Sequence, residues 1–340
     1  MRSLLVGDLH IGIKSNSITW LENQIKFFKD QIIESIRTKN VDQAIFLGDI
    51  HDIRFSINQQ IGYELKSIIT EMVSEFPDKK FIFVAGNHDY FTPLEEYDKY
   101  NIYTVLFGEE YTRVHKNVQF IWEAPYLDDF GYLYLPWYWT ENPLHFDEIL
   151  YQYNFSKDIK AIFCHTDLSI WPGARIASLQ GVPVYSGHIH NIYEDKLCNL
   201  HNIGAALPLT FNDVNDARYI YVLEDFDIVE KIENVTTPRF NRIYNEEIFE
   251  DRPELYQNSY MQLCISSNNI NTAKYIDQIK FLKSQYVNAN IRIHIIDDTV
   301  NLKTLEVDGF DMNINKYIED NIPEYLDTKY NKIKTKLAEQ

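Results

Sequence analysis

In "MRSLLVGDLHIG" two residues able to bind a metal, Asp8 and His10, follow the apolar run Leu4 to Val6. On an extended backbone residues two apart share a face, so a carboxylate and an imidazole leave the end of a short strand pointing the same way. The arrangement recurs along the chain. Asp49 follows "IFLG", Asn87, His88 and Asp89 follow "FVAG", His165 follows "AIFC", and His188 and His190 stand in "GHIH". Seven residues, Asp8, His10, Asp49, Asn87, His165, His188 and His190, offer oxygen or nitrogen ligands. One ion does not need seven protein ligands. Two ions sharing a bridging carboxylate do, and such a pair, roughly 3.5–4 Å apart, clamps the attacking and leaving oxygens of an in-line phosphoryl displacement. Carboxylate, amide and imidazole donors without thiolate suit Mn²⁺ or Fe²⁺ better than a structural zinc site. Singly, each cluster is weak: a lone His beside a strand is usually a satisfied core or surface residue, and Asp49 beside a glycine could simply begin a turn. The ordered set of five clusters outweighs coincidence.

Such clusters need strands to carry them. The segments Leu4 to Val6, Ala44 to Leu47, Phe81 to Ala85, Ala161 to Cys164 and Val182 to Ser186 are apolar on both faces, as covered central strands are. Amphipathic stretches near Trp20 to Arg37 and Gln59 to Ser74 alternate with the first three, which predicts an α/β core. In open α/β sheets the ligand site lies outside the carboxyl ends of the strands, so the five clusters are expected to meet. Past about Val222, "YMQLCIS", a helical stretch from Thr272 to Tyr286 and "IRIHIID" predict a smaller strand, helix, strand domain. From Met312 onward, Ile314, Tyr317, Ile318, Tyr325, Leu326, Tyr330, Ile333 and Leu337 give a charged tail an apolar helical stripe. Packing on the second domain and docking of a partner are equally good readings of it. Internal repeats and low-complexity linkers are absent.

Composition bounds the rest. At 340 residues and 45% hydrophobic, the chain is an ordinary globular protein with room for one large domain and a smaller one. Its apolar runs fall short of the ~20 residues a bilayer span needs, and the N-terminus breaks at Gly7-Asp8 too early for a signal peptide, so a cytoplasmic protein without membrane attachment is expected. Cys164, Cys198 and Cys264 show no CxxC spacing and read as reduced thiols. The net charge of -18 argues against tight nucleic-acid binding by this chain alone. Bound cations or a partner would supply the missing positive charge. The lean toward Ile, Asn, Lys, Tyr and Phe fits an AT-rich genome, a viral one included, in which case the host cytoplasm is the expected location.

"GDLH", "GDIHD", "GNHD", "CH" and "GHIH" together resemble the calcineurin-like metallophosphoesterase superfamily. Within it the chain is most similar to the SbcD-type nucleases of double-strand-break repair, and among these to the small nuclease subunit of T-even-like phage recombination complexes; "NIGAALPLTFNDVNDARYIYVLEDF" extends the likeness. The resemblance implies β-sheets flanked by helices over residues 1–226, an α+β DNA-capping-like domain over 227–305 and a C-terminal helical partner-docking segment over 306–340. By the same likeness Asp8, His10 and His190 hold one divalent ion and Asn87, His165 and His188 the other, Asp49 bridging them, with Mn²⁺ expected and Mg²⁺ or Fe²⁺ allowed. His88 would contact the scissile phosphate and serve the leaving oxygen. Asp52 matches the position whose carboxylate orients that His, although some nuclease relatives carry a His there. His51 receives no role.

The implied function is a Mn²⁺-dependent DNA nuclease, a 3′ to 5′ exonuclease on duplex ends and an endonuclease on single strands, working with an SbcC-type coiled-coil ATPase in DNA recombination and repair. Related nucleases commonly form a homodimer through early helices. The alternative keeps the metals and changes the substrate, to a phosphoprotein phosphatase or small-molecule phosphodiesterase; those phosphatases read Asp-Arg-Gly where this chain has Asp52-Ile53-Arg54. A non-catalytic scaffold ranks last, because all seven ligand positions and His88 are intact. The aromatic stretch Tyr134 to Pro143 reads as a core edge rather than a base-stacking platform. Lys329, Lys332, Lys334 and Lys336 read as a solvated helical face.

Overall fold

In this computed structural model the described residues are 1–296 apart from 55, 92–99, 142–144, 146–147, 150–151, 154–158, 215, 257–258 and 287–288. The tail expected at 306–340, with its apolar stripe and four lysines, lies outside the described residues, as does the end of the domain expected at 227–305. In chain order the strands are β1 (Arg2–Val6), β2 (Gln43–Leu47), β3 (Lys80–Val84), β4 (Val118–Ile121), β5 (Tyr126–Leu127), β6 (Tyr132–Leu135), β7 (Ala161–His165) and β8 (Val184–Gly187). There follow β9 (Tyr193–Asp195), β10 (Leu200–Asn202), β11 (Tyr219–Glu224), β12 (Asp227–Glu233), β13 (Arg239–Tyr244), β14 (Ser259–Ser266) and β15 (Asn290–Ile296).

The five strands predicted from apolar runs form, but they divide between two sheets. One sheet has the order β12-β11-β1-β2-β3-β4 and the other β5-β6-β7-β8-β10-β9. Strand alternation explains how both faces of each strand find apolar partners. Leu5, Ile45, Leu47 and Val84 of the first sheet meet Tyr134, Phe163 and Tyr185 of the second in a layer between them. Leu4, Val6, Phe46 and Phe83 point the other way, onto the helices Ile18–Phe27 and Gln59–Glu75. Leu135, Ile162, Cys164 and Val184 likewise face the helix Pro172–Leu179. The result is helix, sheet, sheet, helix, a mixed α/β fold. Apolar runs with two buried faces look alike in either sheet, which is why sequence shows the strands but not their partition.

Local chemistry sets the element ends. Asn58 caps the helix Gln59–Glu75, its side chain accepting from Gln60 N at 2.9 Å. The helix predicted from Trp20 to Arg37 runs as Ile18–Phe27, a π-helical turn Phe28–Ile33 and Glu34–Thr38. The boundary expected after residue 226 falls in the turn of the β11–β12 hairpin, and β12 is an edge strand of the first sheet. The first sheet therefore continues to Glu233. Beyond it, β13-β14-β15 form a small parallel sheet, with the helix Ala273–Gln285 crossing from β14 to β15. Met261, Leu263 and Ile265 pack under that helix against Tyr275, Ile279 and Leu282. Among the described residues no helix is long and apolar enough to cross a membrane.

Candidate metal centre

The parallel strands β1, β2 and β3 of the first sheet and β7 and β8 of the second end on the same side, and the loops leaving them turn inward. Tight backbone makes that possible. Gly48 has φ +86°, and a side chain there would collide with the His165 ring. Three of the seven expected ligands, His10, Asp49 and His188, themselves adopt φ of 45°, 48° and 80°. Such left-handed conformations are costly for residues with a Cβ and persist where surrounding contacts enforce them.

Around Asn87 Oδ1 stand His188 Nδ1 at 2.9 Å and His165 Nε2 at 3.0 Å. His165 Nδ1 lies 2.6 Å from the Leu47 carbonyl and so carries a ring proton, which leaves Nε2 as the atom able to ligate once its own proton is released. Opposite, His10 Nε2 faces His190 Nε2 at 3.2 Å and Asp49 Oδ2 at 3.5 Å, while His190 Nε2 lies 3.9 Å from Asp8 Oδ2. Asp49 stands between these two groups: Oδ2 turns to His10, and Oδ1 lies 3.4 Å from His165 Nε2. Ligand atoms of Asp8, His10 and His190 all lie within 4.8 Å of one another, and those of Asp8, Asp49 and His165 do the same.

This donor set fits a divalent cation. As placed, Asn87 turns its oxygen toward His165, His188 and Asp49, all lone-pair bearers, and its nitrogen toward the Arg54 guanidinium, donor against donor. Rotating the amide half a turn would satisfy those contacts with hydrogen bonds to the same three residues. In the metal-free protein a proton on His165 Nε2 lies between these groups; once it is released, the converging lone pairs require a cation. The charge states agree. Burial, with His165 nearby, lowers the His188 pKa to about 4, and burial with His10 lowers that of His190 to about 4, so both rings are neutral and free to ligate. For His165 burial works the other way from its neighbours, and Asp49, Asp8 and the Leu47 carbonyl prevail, raising it to about 10. Asp8, desolvated and near Asp49, rises to about 6 despite the pull of His165. Asp49 is held well below the carboxylate range by its histidine neighbours, against the cost of burial.

The match to the calcineurin-like phosphoesterase family extends over residues 1–192, every one of the seven ligand positions included. The chain belongs to the calcineurin-like phosphoesterase family. No curated protein matches the sequence. One solved structure aligns with 68% of this chain and 98% of its own at 13% identity and a TM-score of 0.38, a likeness too loose to carry an argument. In this phosphoesterase the site is closed beneath Asp8 and His165, both fully buried, and opens at His190, which is 35% exposed.

His88 sits at that opening. Its main-chain N–H donates to Asp49 Oδ1 at 2.7 Å, its ring lies edge-on to His10 at a centroid distance of 4.7 Å, and Nδ1 contacts the Asp52 carbonyl. Asp52 contacts two histidines. Its carboxylate lies 3.1 Å from His10 Nδ1, so it orients that ring and fixes its proton on Nδ1; His88 receives only its main-chain oxygen. Two side chains within reach of one residue cannot be ranked by sequence spacing. His51 is buried, its pKa lowered to about 4 mainly by desolvation, and its Nε2 has no hydrogen-bond partner among the described residues.

Supporting residues, most of them outside the five clusters, hold the loops. Gln24 Nε2 donates to the carbonyls of Leu9 (2.8 Å) and His10 (2.9 Å) from the helix Ile18–Phe27. Asp89, read by sequence only as a neighbour of His88, accepts from Ile50 N at 3.0 Å, Gly86 N at 2.8 Å and Tyr103 Oη at 3.0 Å, and so ties the Asp49 loop to the Asn87 loop. Buried Arg218 reaches the His190 carbonyl and pairs with Asp213 at 2.6 Å. No local signal marks Gln24, Tyr103 or Arg218. The aromatic stretch behaves as a core edge over its described residues: Tyr134 is buried between the sheets, and Trp137 N donates to the Ala85 carbonyl at 2.9 Å, just before the Asn87 loop.

Proposed function

We propose that this phosphoesterase is a DNA nuclease of the SbcD type, cleaving phosphodiesters with two divalent ions and acting with a coiled-coil ATPase in recombination and repair. The observation that carries the catalytic part is the meeting of two donor groups across Asp49. Asp8, His10 and His190 would hold one ion and Asn87, His165 and His188 the other, with Mn²⁺ favoured by the mixed oxygen and nitrogen donors. When bound, such ions supply Lewis-acid activation of water and of a phosphoryl oxygen.

The chain's own residues do the rest. With Nδ1 committed to the Asp52 carbonyl, His88 directs Nε2 to the open side, where it can hold a hydrogen bond to the leaving oxygen. Asp52 keeps His10 in the tautomer that presents Nε2. Gln24, Asp89 and Arg218 fix the three loops so that these groups keep their spacing. DNA specificity is supported by the motif set and by the sheet beyond Glu233, for which a small-substrate phosphatase has no need. Partner docking through residues 306–340, a phage origin and a cytoplasmic setting rest on the sequence resemblance. One observation favours the alternative: Arg54 points its guanidinium at Asn87, where a basic group could grip a phosphomonoester.

The test is Mn²⁺-dependent degradation of an end-labelled linear duplex beside hydrolysis of p-nitrophenyl phosphate, for wild type and His88→Ala. A nuclease releases nucleotides, turns over the monoester poorly, and loses about 10²–10⁴-fold of its rate in His88→Ala. Monoester turnover with intact DNA, even with the ATPase present, would move the assignment to a phosphatase.

A further inference from the structure

A cavity of about 640 Å³ lies between the helices Ile102–Leu106 and Gly108–Val114 and the strand β4, and none of the seven ligand positions lines it. Tyr103, Gly108 and Glu109 belong to its helical wall, Phe120, Trp122 and Glu123 to its strand wall. Gly108 turns the chain between the two helices at φ +64°, and nothing lies within 4 Å of where its Cβ would stand, so the space beside it is open. The volume is that of a small-molecule site.

The walls are fixed from behind. Tyr103 is buried, its ring stacked on Phe120 with centroids 4.8 Å apart, and its Oη donates to Asp89 Oδ2 at 3.0 Å. Phe107 at 4.8 Å and Phe83 at 5.2 Å hold the Phe120 ring as well. On the strand side the Trp122 carbonyl accepts from Tyr90 Oη at 2.6 Å. Aromatic surface held in this way needs little reordering when a ligand arrives, which removes a cost that flexible walls would add.

The charge of the cavity has one sign. Its two charged residues, Glu109 and Glu123, are both acidic, one on each wall, and the rest of the lining is neutral. Among the described residues neither carboxylate has a cationic partner, whereas Glu110, one position on, pairs with Arg113 at 2.5 Å. A phosphate or a nucleic acid would be repelled here. A bare divalent ion lacks ligands, because among the described residues Glu109 and Glu123 belong to no group of three ligand atoms that lie within 4.8 Å of one another. Aromatic surface between two carboxylates instead matches a chain of methylenes that carries ammonium groups, the stem lying on the rings and the charges reaching the acids.

We propose that this cavity is a binding site for a linear aliphatic polyamine, its methylenes along Phe120 and Trp122 and its ammonium groups at Glu109 and Glu123. The inference is independent of the nuclease reading.

Isothermal titration of spermidine into the full-length, metal-free protein at about 0.15 M salt measures the site directly. Wild type is expected to take up one equivalent saturably. Glu109→Gln/Glu123→Gln is expected to weaken that binding about tenfold, and Trp122→Leu about threefold, the size of a partly exposed cation–π contact. Should Trp122→Leu unfold, the carboxylate variant, whose two side chains are exposed, carries the test alone. A chain of net charge -18 attracts polycations in general, so Glu22→Gln/Glu254→Gln, which removes the same charge from exposed positions outside the cavity, serves as control and is expected to keep the wild-type affinity. Equal weakening in the control, unchanged affinity in Glu109→Gln/Glu123→Gln, equally tight binding of an uncharged diol of the same length, or no saturable binding by wild type would overturn the site.

Discussion

The metal cleft and the small sheet are charged in opposite senses and built differently. In the cleft Asp8, Asp49, His10 and His165 are buried, and three of them are tied by a neighbour: His165 to the Leu47 carbonyl, His10 to Asp52, Asp49 to the His88 amide. On the sheet, Arg292 and His294 stand exposed, while Arg242 is held by Gln262 Oε1 at 2.8 Å and the Phe211 carbonyl at 3.1 Å. A second contact on a donor fixes its orientation, which a surface side chain does not need.

Phe240 joins the two regions, lying in the core cluster with Trp20 while carrying Lys14 over its ring. Phe240→Ala is expected to cost about 3–5 kcal/mol, read as a fall in thermal midpoint of the whole molecule. A loss confined to the small sheet, with the cleft unfolding at its original temperature, would show that the regions are independent. Within the cleft, Asp52→Asn is expected to lower divalent-ion affinity about 10–100-fold by isothermal titration, since an outer partner sets the basicity and tautomer of His10. An unchanged affinity would return Asp52 to a role at His88.

The smallest effect separates the regions by pH. With its pKa raised to about 10, His165 is protonated in the metal-free protein at neutral pH and must release that proton to ligate. Affinity for Mn²⁺ should therefore rise with pH, by up to about tenfold per unit, until pH reaches about 10. The sign for the metal-free fold is opposite: a raised histidine pKa contributes stability fully present below the unfolded value and lost as pH climbs through the folded one. Proton release on Mn²⁺ binding, measured in buffers of differing ionisation enthalpy, checks the first; none at neutral pH would show His165 already neutral.

Sequence alone determined which residues stand at the strand ends that meet in the cleft. Asp8 with His10 and His188 with His190 are legible because two-residue spacing at the end of an apolar run fixes a shared face locally, and because strands end where glycines allow sharp turns. The helix starting at Gln59 was equally legible, from its apolar period. Tertiary structure alone decided what depends on packing between distant segments. It divided the strands between two facing sheets, carried the first sheet past residue 226 through β12, and gave the Asp52 carboxylate to His10. It also brought Gln24, Tyr103 and Arg218 under the loops and set Lys14 beside Arg292, residues with no local mark. The physical reason is one of range: periodicity and capping act over a few residues, whereas register and side-chain packing couple positions hundreds apart and leave no pattern in either partner's neighbourhood.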